Sequence, residues 1–267
     1  MSRRLFVMGG HEFDRLDGNE LICDHIIGLS GVPRPKICLL PTASGDPEDQ
    51  IARFRRSFGS RGCEVSDVSL FRLGTNPIDV SAHLLEQDVI YVGGGSLLNL
   101  VAIWQAHDIH ELLEMCLDRG ILICGQSAGA MCWFDYGITS SSGLPAAAPG
   151  LSLIGGSLCV HYHQDPQRRK RYLADVGAGM PGGYGADDQS GLLFVDGKLH
   201  EAMTFRPGAG IWKVEAGTDG GGEAKEIPVD LVTRFPEEPE PRVSRSTVED
   251  FRELNDWRRR GGMLRGR

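Results

Sequence analysis

Apolar positions along the chain gather in short runs that stop abruptly on glycine or small polar residues. Leu5-Phe6-Val7-Met8 stops at Gly9-Gly10-His11, and Lys36-Ile37-Cys38-Leu39-Leu40 stops at Pro41-Thr42-Ala43-Ser44. Asp88-Val89-Ile90-Tyr91-Val92 ends at Gly93-Gly94-Gly95-Ser96, and Gly120-Ile121-Leu122-Ile123-Cys124 ends at Gly125-Gln126-Ser127. Runs of this length, rich in branched residues and bounded by turn formers, predict strands; another is predicted at residues 65–71. Between them, residues 51–60, 97–106 and 109–119 repeat their apolar positions with the period of a helix. Strand, loop and helix in alternation predict an α/β fold, a flavodoxin-like, doubly wound, mostly parallel sheet with helices on both faces. Sheets of that kind bind ligands at the carboxyl ends of their strands, which puts the glycine-rich loops on one rim.

Past Ser127 the pattern changes. Residues 128–134 read as a buried helix, 137–150 as a small-residue loop, and 153–161 as a returning strand. The stretch 177–185 is glycine-rich and reads as loop. Residues 192–195 and 199–204 flank Asp196-Gly197, a pair that favours the tight type I′ turn of a hairpin, and 211–214 adds a strand. Prolines and charges beyond Phe235 predict a main domain over residues 1–235 and a polar tail over 236–267, with a short surface helix at 248–260.

Composition narrows the function. A chain of 267 residues that is 41% hydrophobic and 24% charged can bury a sizeable core. Its formal net charge of -8 argues against nucleic acid and acidic membrane surfaces as partners. Two basic patches, Arg168 to Arg171 and the arginines near the C-terminus, read first as solvated surface. Seven cysteines without a CxxC pair suggest reduced, mostly buried thiols and a cytoplasmic protein. The first apolar stretch is too short for a signal-peptide core, and no run approaches the ~18 apolar residues that span a bilayer.

Candidate chemistry centres on Gly125-Gln126-Ser127-Ala128-Gly129. A nucleophilic hydroxyl has to project from a sharp strand-to-helix turn, so its neighbours must be small; here the motif follows an apolar strand and opens an apolar helix. The Gly93-Gly94-Gly95-Ser96 loop could offer a backbone amide to an oxyanion, with the amide of Ala128 as the second donor. A phosphate-binding P-loop is excluded because Leu97-Leu98 stands where lysine and serine or threonine would be needed. Four histidines are candidates for the base: His161 and His163 at a strand end, and His11 and His107 near the same rim. For the orienting acid, Asp187 or Asp188 suits the rim better than Asp135, which a continuous helix would carry about 12 Å from Ser127. The His161-x-His163 pair lacks a third metal ligand at a recognisable spacing.

Three pieces together resemble peptidase family S51, whose members include dipeptidase E and cyanophycinase. They are Val92-Gly93-Gly94-Gly95-Ser96 with Leu98, Gly125-Gln126-Ser127-Ala128-Gly129-Ala130, and the His161 strand end followed by an arginine-containing segment. The resemblance spans residues 5 to about 195 and implies a fold like the class I glutamine amidotransferases, with serine in place of their cysteine. It implies Ser127 as nucleophile, His161 as base, and Gly95 and Ala128 as oxyanion donors. The acid falls on Asp188, with Asp187 one step away. Arg168, or alternatively Arg171, matches the arginine that recognises a substrate carboxylate, and Ser96 is the substrate-side residue after the three glycines. Two departures stand out: dipeptidase E has Asn-Thr where this chain has Ser96-Leu97, and proline before its histidine where this chain has Val160.

The expectation is therefore a serine-type exopeptidase acting on short peptides with an acidic first residue, with no cofactor or metal required. A cyanophycinase-like β-aspartyl hydrolase and a catalytically silent binding protein are the rivals. A homodimer is left open.

Overall fold

The computed structural model describes residues 1–10, 19–217, 222–235 and 256. His11, the predicted tail over 236–267 and its helix at 248–260 lie outside the described residues, apart from Asp256.

Four apolar runs and the more polar edge strand at Glu64–Asp67 form a parallel core sheet. In chain order the elements are β1 (Arg4–Met8), α1 (Asn19–Ser30), β2 (Lys36–Leu40), α2 (Glu48–Gly59), β3 (Glu64–Asp67), α3 (Val80–Leu85), β4 (Val89–Val92), α4 (Leu97–Ala106), α5 (Ile109–Asp118) and β5 (Leu122–Gln126). The strands lie side by side as β1-β5-β4-β2-β3, all parallel. Alternate residues serve opposite faces. Phe6, Met8, Ile37, Leu39, Val89, Tyr91, Leu122 and Cys124 meet Ile22 and Ile26 of α1 and Ile51, Phe54 and Phe58 of α2. Leu5, Val7, Leu40, Ile90, Val92 and Ile123 pack on the other face with Leu100 and Trp104 of α4 and Leu113 of α5. A sheet buried on both sides reads as near-continuous apolar runs, which is the pattern of β1, β2, β4 and β5. Phe54, fully buried between Phe58 and Tyr91, is one of its keystones; truncation to alanine would cost about 3 to 5 kcal/mol.

The pairing register aligns the strand ends. Val7 and Val92 both sit opposite Gly125, and Leu40 sits opposite Val92. The loops after β1, β2, β4 and β5 therefore emerge together, as the sequence pattern required.

The second half of the chain departs from the sequence reading. After α6 (Ala128–Met131) come β6 (Phe134–Thr139), β7 (Ala146–Pro149), β8 (Ile154–Val160), α7 (Pro166–Gly177), β9 (Gly183–Ala186), β10 (Ser190–Val195), β11 (Lys198–Thr204), β12 (Ile211–Ala216), β13 (Ala224–Pro228) and β14 (Val232–Thr233). The helix expected over 128–134 stops at Met131, because the Cys132 and Trp133 carbonyls accept from Leu151 and Ile154, leaving no ladder to continue. Residues 137–150, expected as loop, supply parts of β6 and β7, and β9 occupies the end of the glycine-rich stretch. The strand expected at 65–71 ends at Asp67.

Strands β10 and β11 form the predicted hairpin, with Asp196 at φ 49° and Gly197 at φ 75°, and extend the core sheet beside β1. The short β14 joins the same sheet beside β11, and the remaining strands build a second sheet, β13-β12-β9-β8-β6-β7, in which β6, β8 and β9 run parallel. Phe134, Ile154, Leu158, Val160 and Ile211 of this sheet join the core beneath one face of the first. On its outer side Tyr172 and Val176 of α7 pack on Ile138, Cys159 and Val214. One face of the main sheet is thus shared between helices and a second sheet.

Candidate active site

Strand β5 ends at Gln126, and Ser127 makes the turn into α6 with φ 51° and ψ −116°. A side chain in that region is strained, and a serine held there projects its hydroxyl away from the sheet. The turn survives only with glycine on either side. A Cβ on Gly125 would stand 2.0 Å from the Gly129 carbonyl oxygen, and one on Gly129 would stand 2.4 Å from that of Val92. Backbone bonds fasten the elbow: Ser127 N donates to Met8 O, while Ala130 N and Met131 N donate to Ser127 O.

The second sheet delivers the histidine. His161 follows β8 directly and holds φ 54°. Its Nε2 lies 3.0 Å from Ser127 Oγ, and its Nδ1 lies 2.5 Å from Asp188 Oδ1. An ionised carboxylate only accepts, so Nδ1 carries the proton and Nε2 is left to accept from the serine hydroxyl. The His161 and Asp188 side chains are 30% and 32% exposed, so a substrate can reach them. Gln164 Oε1 accepts from the Asp188 amide.

Asp187 goes elsewhere. It is 2% exposed; Oδ1 accepts from His163 N and lies 3.1 Å from His163 Nδ1, while Oδ2 accepts from Gly210 N. His163 stacks edge-on against Trp212 at 4.2 Å. Neither residue enters the Ser127 chain of contacts. Asp135 lies on β6, not on a helix, and its Oδ2 accepts from Gly156 N, so the distance expected along a continuous helix does not apply. His107 is exposed at the C-terminal cap of α4, the end of that helix opposite the glycine loop.

Gly94 and Gly95 run past the elbow. A Cβ on Gly94 would come 3.1 Å from Ser127 Cβ, and one on Gly95, at φ 147°, would meet Ala43 O at 2.2 Å. Among the described residues the amides of Gly94, Gly95 and Ala128 have no hydrogen-bond acceptor. Helix α6 has only four residues, so any charge stabilisation here comes from individual N–H groups and not from a long helix dipole. Ser96 caps α4, its Oγ accepting from Asn99 N.

The basic cluster is divided. Arg169 grips Glu226 with both arms of its guanidinium and lies over the Tyr162 ring, and Arg171 pairs with Asp175. Arg168, with a side chain 13% exposed, touches Asp165 Oδ2 and Ser140 Oγ only at 3.4 Å, and its buried Nε makes no hydrogen bond. Ser140 went unnoticed in the sequence because residues 137–150 carry no strand-like alternation. Extending the β6–β8 register beyond Gly137 opposite Leu158 sets Ser140 level with His161.

Burial raises the thiols, that of Cys23 to about 12 and that of Cys116 to about 11, and pushes Cys124 and Cys132 up as well. A protonated, buried thiol is no nucleophile, so these cysteines do not compete with Ser127 as candidates. A groove of about 590 Å³ beside α2, lined by Glu48, Ile51, Arg55, Asp67 and Arg72 among others, touches none of Ser127, His161 and Asp188.

The sequence profile described as peptidase family S51 matches residues 5–202. The chain belongs to peptidase family S51. That makes it a serine-type peptidase. The uncharacterized peptidase YgaJ of Bacillus subtilis (strain 168) is 35% identical over 213 residues, which are 79% of this S51 chain and 92% of the relative. A cyanophycinase of Nostoc sp. is 25% identical over 201 residues, 71% of this chain and 67% of that protein. A solved peptidase from an acI-B1 Actinobacterium superposes with a TM-score of 0.57 at 17% identity, covering 85% of this chain and 98% of that one. A Listeria monocytogenes EGD-e structure, described as a candidate peptidase E, gives a TM-score of 0.58 at 17% identity, over 76% of this S51 chain and 99% of its own. Both share the fold of this chain. No helix among the described residues is long and apolar enough to cross a membrane.

Proposed function

We propose that this S51 chain is an exopeptidase that hydrolyses short peptides with an acidic first residue, using Ser127, His161 and Asp188. The observation that carries the reading is the unbroken line of contacts from Ser127 Oγ through both nitrogens of His161 to Asp188 Oδ1.

In the proposed reaction Ser127 Oγ bonds to the scissile carbonyl carbon as its proton passes to His161 Nε2. The carbonyl oxygen becomes an oxyanion held by the N–H groups of Gly95 and Ala128. His161 then gives its proton to the departing amine, the C–N bond breaks, and an ester to Ser127 remains. Water, losing a proton to His161, adds to that ester; its collapse returns the proton to Ser127 and frees the acid. Asp188 holds the imidazole in one tautomer and balances its charge when protonated.

Arg168 supports the acidic preference. Its neighbours Arg169 and Arg171 are held by close contacts to carboxylates of the chain itself, whereas Arg168 has only the long 3.4 Å approach to Asp165, and among the described residues its buried Nε makes no hydrogen bond. The O–H of Ser96 stays free to donate to a substrate, since its oxygen only accepts in capping α4. All seven cysteines are unpaired and six are buried, which supports a reducing, cytoplasmic setting. Similarity to cyanophycinase favours a second reading, in which the scissile bond is β-aspartyl.

A fluorophosphonate probe should label the purified protein at Ser127, and Ser127→Ala should abolish both labelling and peptide release. Parallel assays of α-aspartyl, β-aspartyl and neutral dipeptides decide between the two substrate readings. Labelling that persists in Ser127→Ala, or no labelling beside a reactive control hydrolase, would overturn the mechanism.

A further inference from the structure

Beyond Met8, two glycines carry the chain beneath the loop that holds Asp188. The Gly10 carbonyl accepts from Gln189 N at 2.8 Å, and Gly9 N donates to Ser190 O at 3.1 Å. A Cβ built on Gly10 would stand 2.4 Å from His161 Cε1, 2.5 Å from Asp188 Oδ1 and 2.8 Å from His161 Nδ1. Those three atoms belong to the two side chains whose contact orients the imidazole. The volume that a methyl group would take at position 10 is therefore already filled by the edge of the His161–Asp188 pair.

Other glycines on the rim differ in what they spare. A Cβ on Gly9 would strike the Asp187 carbonyl oxygen at 2.1 Å, and one on Gly125 the Gly129 carbonyl oxygen at 2.0 Å, so these are backbone-packing positions. Gly10 is not in the left-handed region of φ, so its backbone could carry alanine. The three atoms nearest to a Cβ there all belong to the imidazole and the carboxylate.

We infer that Gly10 is a positioning residue, and that its missing side chain sets the depth to which His161 and Asp188 settle together against the end of β1. Because this rests on Ser127, His161 and Asp188 being the reacting groups, its test starts from a parent protein that a fluorophosphonate labels. The methyl of Gly10→Ala must push ring and carboxylate apart or turn the ring away from Ser127. Displacements of this kind, near 1 Å, cost on the order of 10²-fold in rate.

The labelling of full-length Gly10→Ala should be resolved into kinact and KI. A fall in kinact of about 10²-fold is expected with KI nearly unchanged, together with loss of the far-downfield proton resonance of the His161–Asp188 hydrogen bond. In an Asp188→Ala background, where the contact that orients the ring is already lost and the ring can give way into the vacated space, Gly10→Ala should cost less than about threefold more, since the two changes act on one contact. Gly28→Ala, with nothing within 4 Å of the added carbon, is the control. If Gly10→Ala does not fold, the Gly10→Ala, Asp188→Gly double variant is expected to fold. Failure of that variant too would overturn the inference. So would parental kinact, a retained downfield proton, or a loss carried in full into the Asp188→Ala background. A parent that does not label at all refutes the serine mechanism instead, so the two failures are distinct.

Discussion

Asp187 and Asp188 are neighbours in the chain, yet their carboxylates end on different histidines. Asp188 meets His161 Nδ1 at 2.5 Å on the accessible rim, while Asp187 turns inward to His163 and to the amide of Gly210. The inward residue ties three segments together: the turn after β8, the start of the β10 loop and the approach to β12. By doing so it fixes the backbone from which Asp188 projects.

The two aspartates should therefore fail in different ways. Asp188→Asn keeps the shape but offers the imidazole an amide that favours the wrong tautomer, and kcat is expected to fall by about 10³-fold or more with little change in melting temperature. Asp187→Asn replaces an acceptor of several buried bonds and should cost roughly 2 to 3 kcal/mol, a drop of about 4 to 5 °C in Tm for a chain of this size. Thermal denaturation beside single-turnover kinetics separates them; equal losses of stability would show that the division of roles is wrong.

A substitution at the elbow tests the packing that exposes Ser127. Alanine at Gly129 would place its Cβ 2.4 Å from Val92 O and 2.8 Å from Gly93 O, backbone atoms at the end of β4 and the start of the loop beside the serine. Neither can yield without moving β4, so Gly129→Ala should lose roughly 3 kcal/mol or more. Urea unfolding reads this directly, and a midpoint equal to that of the parent would contradict the geometry.

How much of this was legible in the sequence depends on which half is considered. Strands β1, β2, β4 and β5 declared themselves because parallel, doubly covered strands are apolar throughout and stop at their loops. The elbow was legible for a related reason, since glycine on both sides of Ser127 has a steric cause. The second sheet was not. Residues of β6 and β7, such as Gly137, Ala146 and Ala147, are too small to show alternation, and the α6 stop is set by carbonyls captured from twenty residues downstream. His161 was picked out as a strand end, but the strand belongs to that second sheet. Nothing local distinguishes Asp187 from Asp188, because the difference lies in the position of Gly210.

Arg168 gives a prediction about selectivity. Removing its charge while keeping a shorter, polar, unbranched side chain, as in Arg168→Gln, should lower kcat/KM for peptides with an acidic first residue by about 10- to 100-fold and leave neutral peptides nearly unaffected. A uniform loss across the panel would mean that Arg168 supports the fold, through Asp165 and Ser140, instead of reading the substrate.

The last prediction concerns pH and lies away from the site. His25 on α1 sits edge-on to Phe6 and Phe205, its buried Nε2 without a hydrogen-bond partner among the described residues. Burial, helped by the positive charge of Arg234, lowers its pKa from 6.5 to about 4. The folded protein therefore keeps this ring neutral where the unfolded chain begins to protonate it. By linkage, stability is unaffected above the unfolded value, falls as the pH drops from about 6.5 toward 4, and levels off once both states are protonated. His25→Phe, which keeps a ring against Phe6 and Phe205 but cannot take up a proton, should flatten that part of the profile. Urea unfolding of parent and variant at intervals across the window measures the difference, and parallel curves would show that His25 protonates as readily in the fold as outside it.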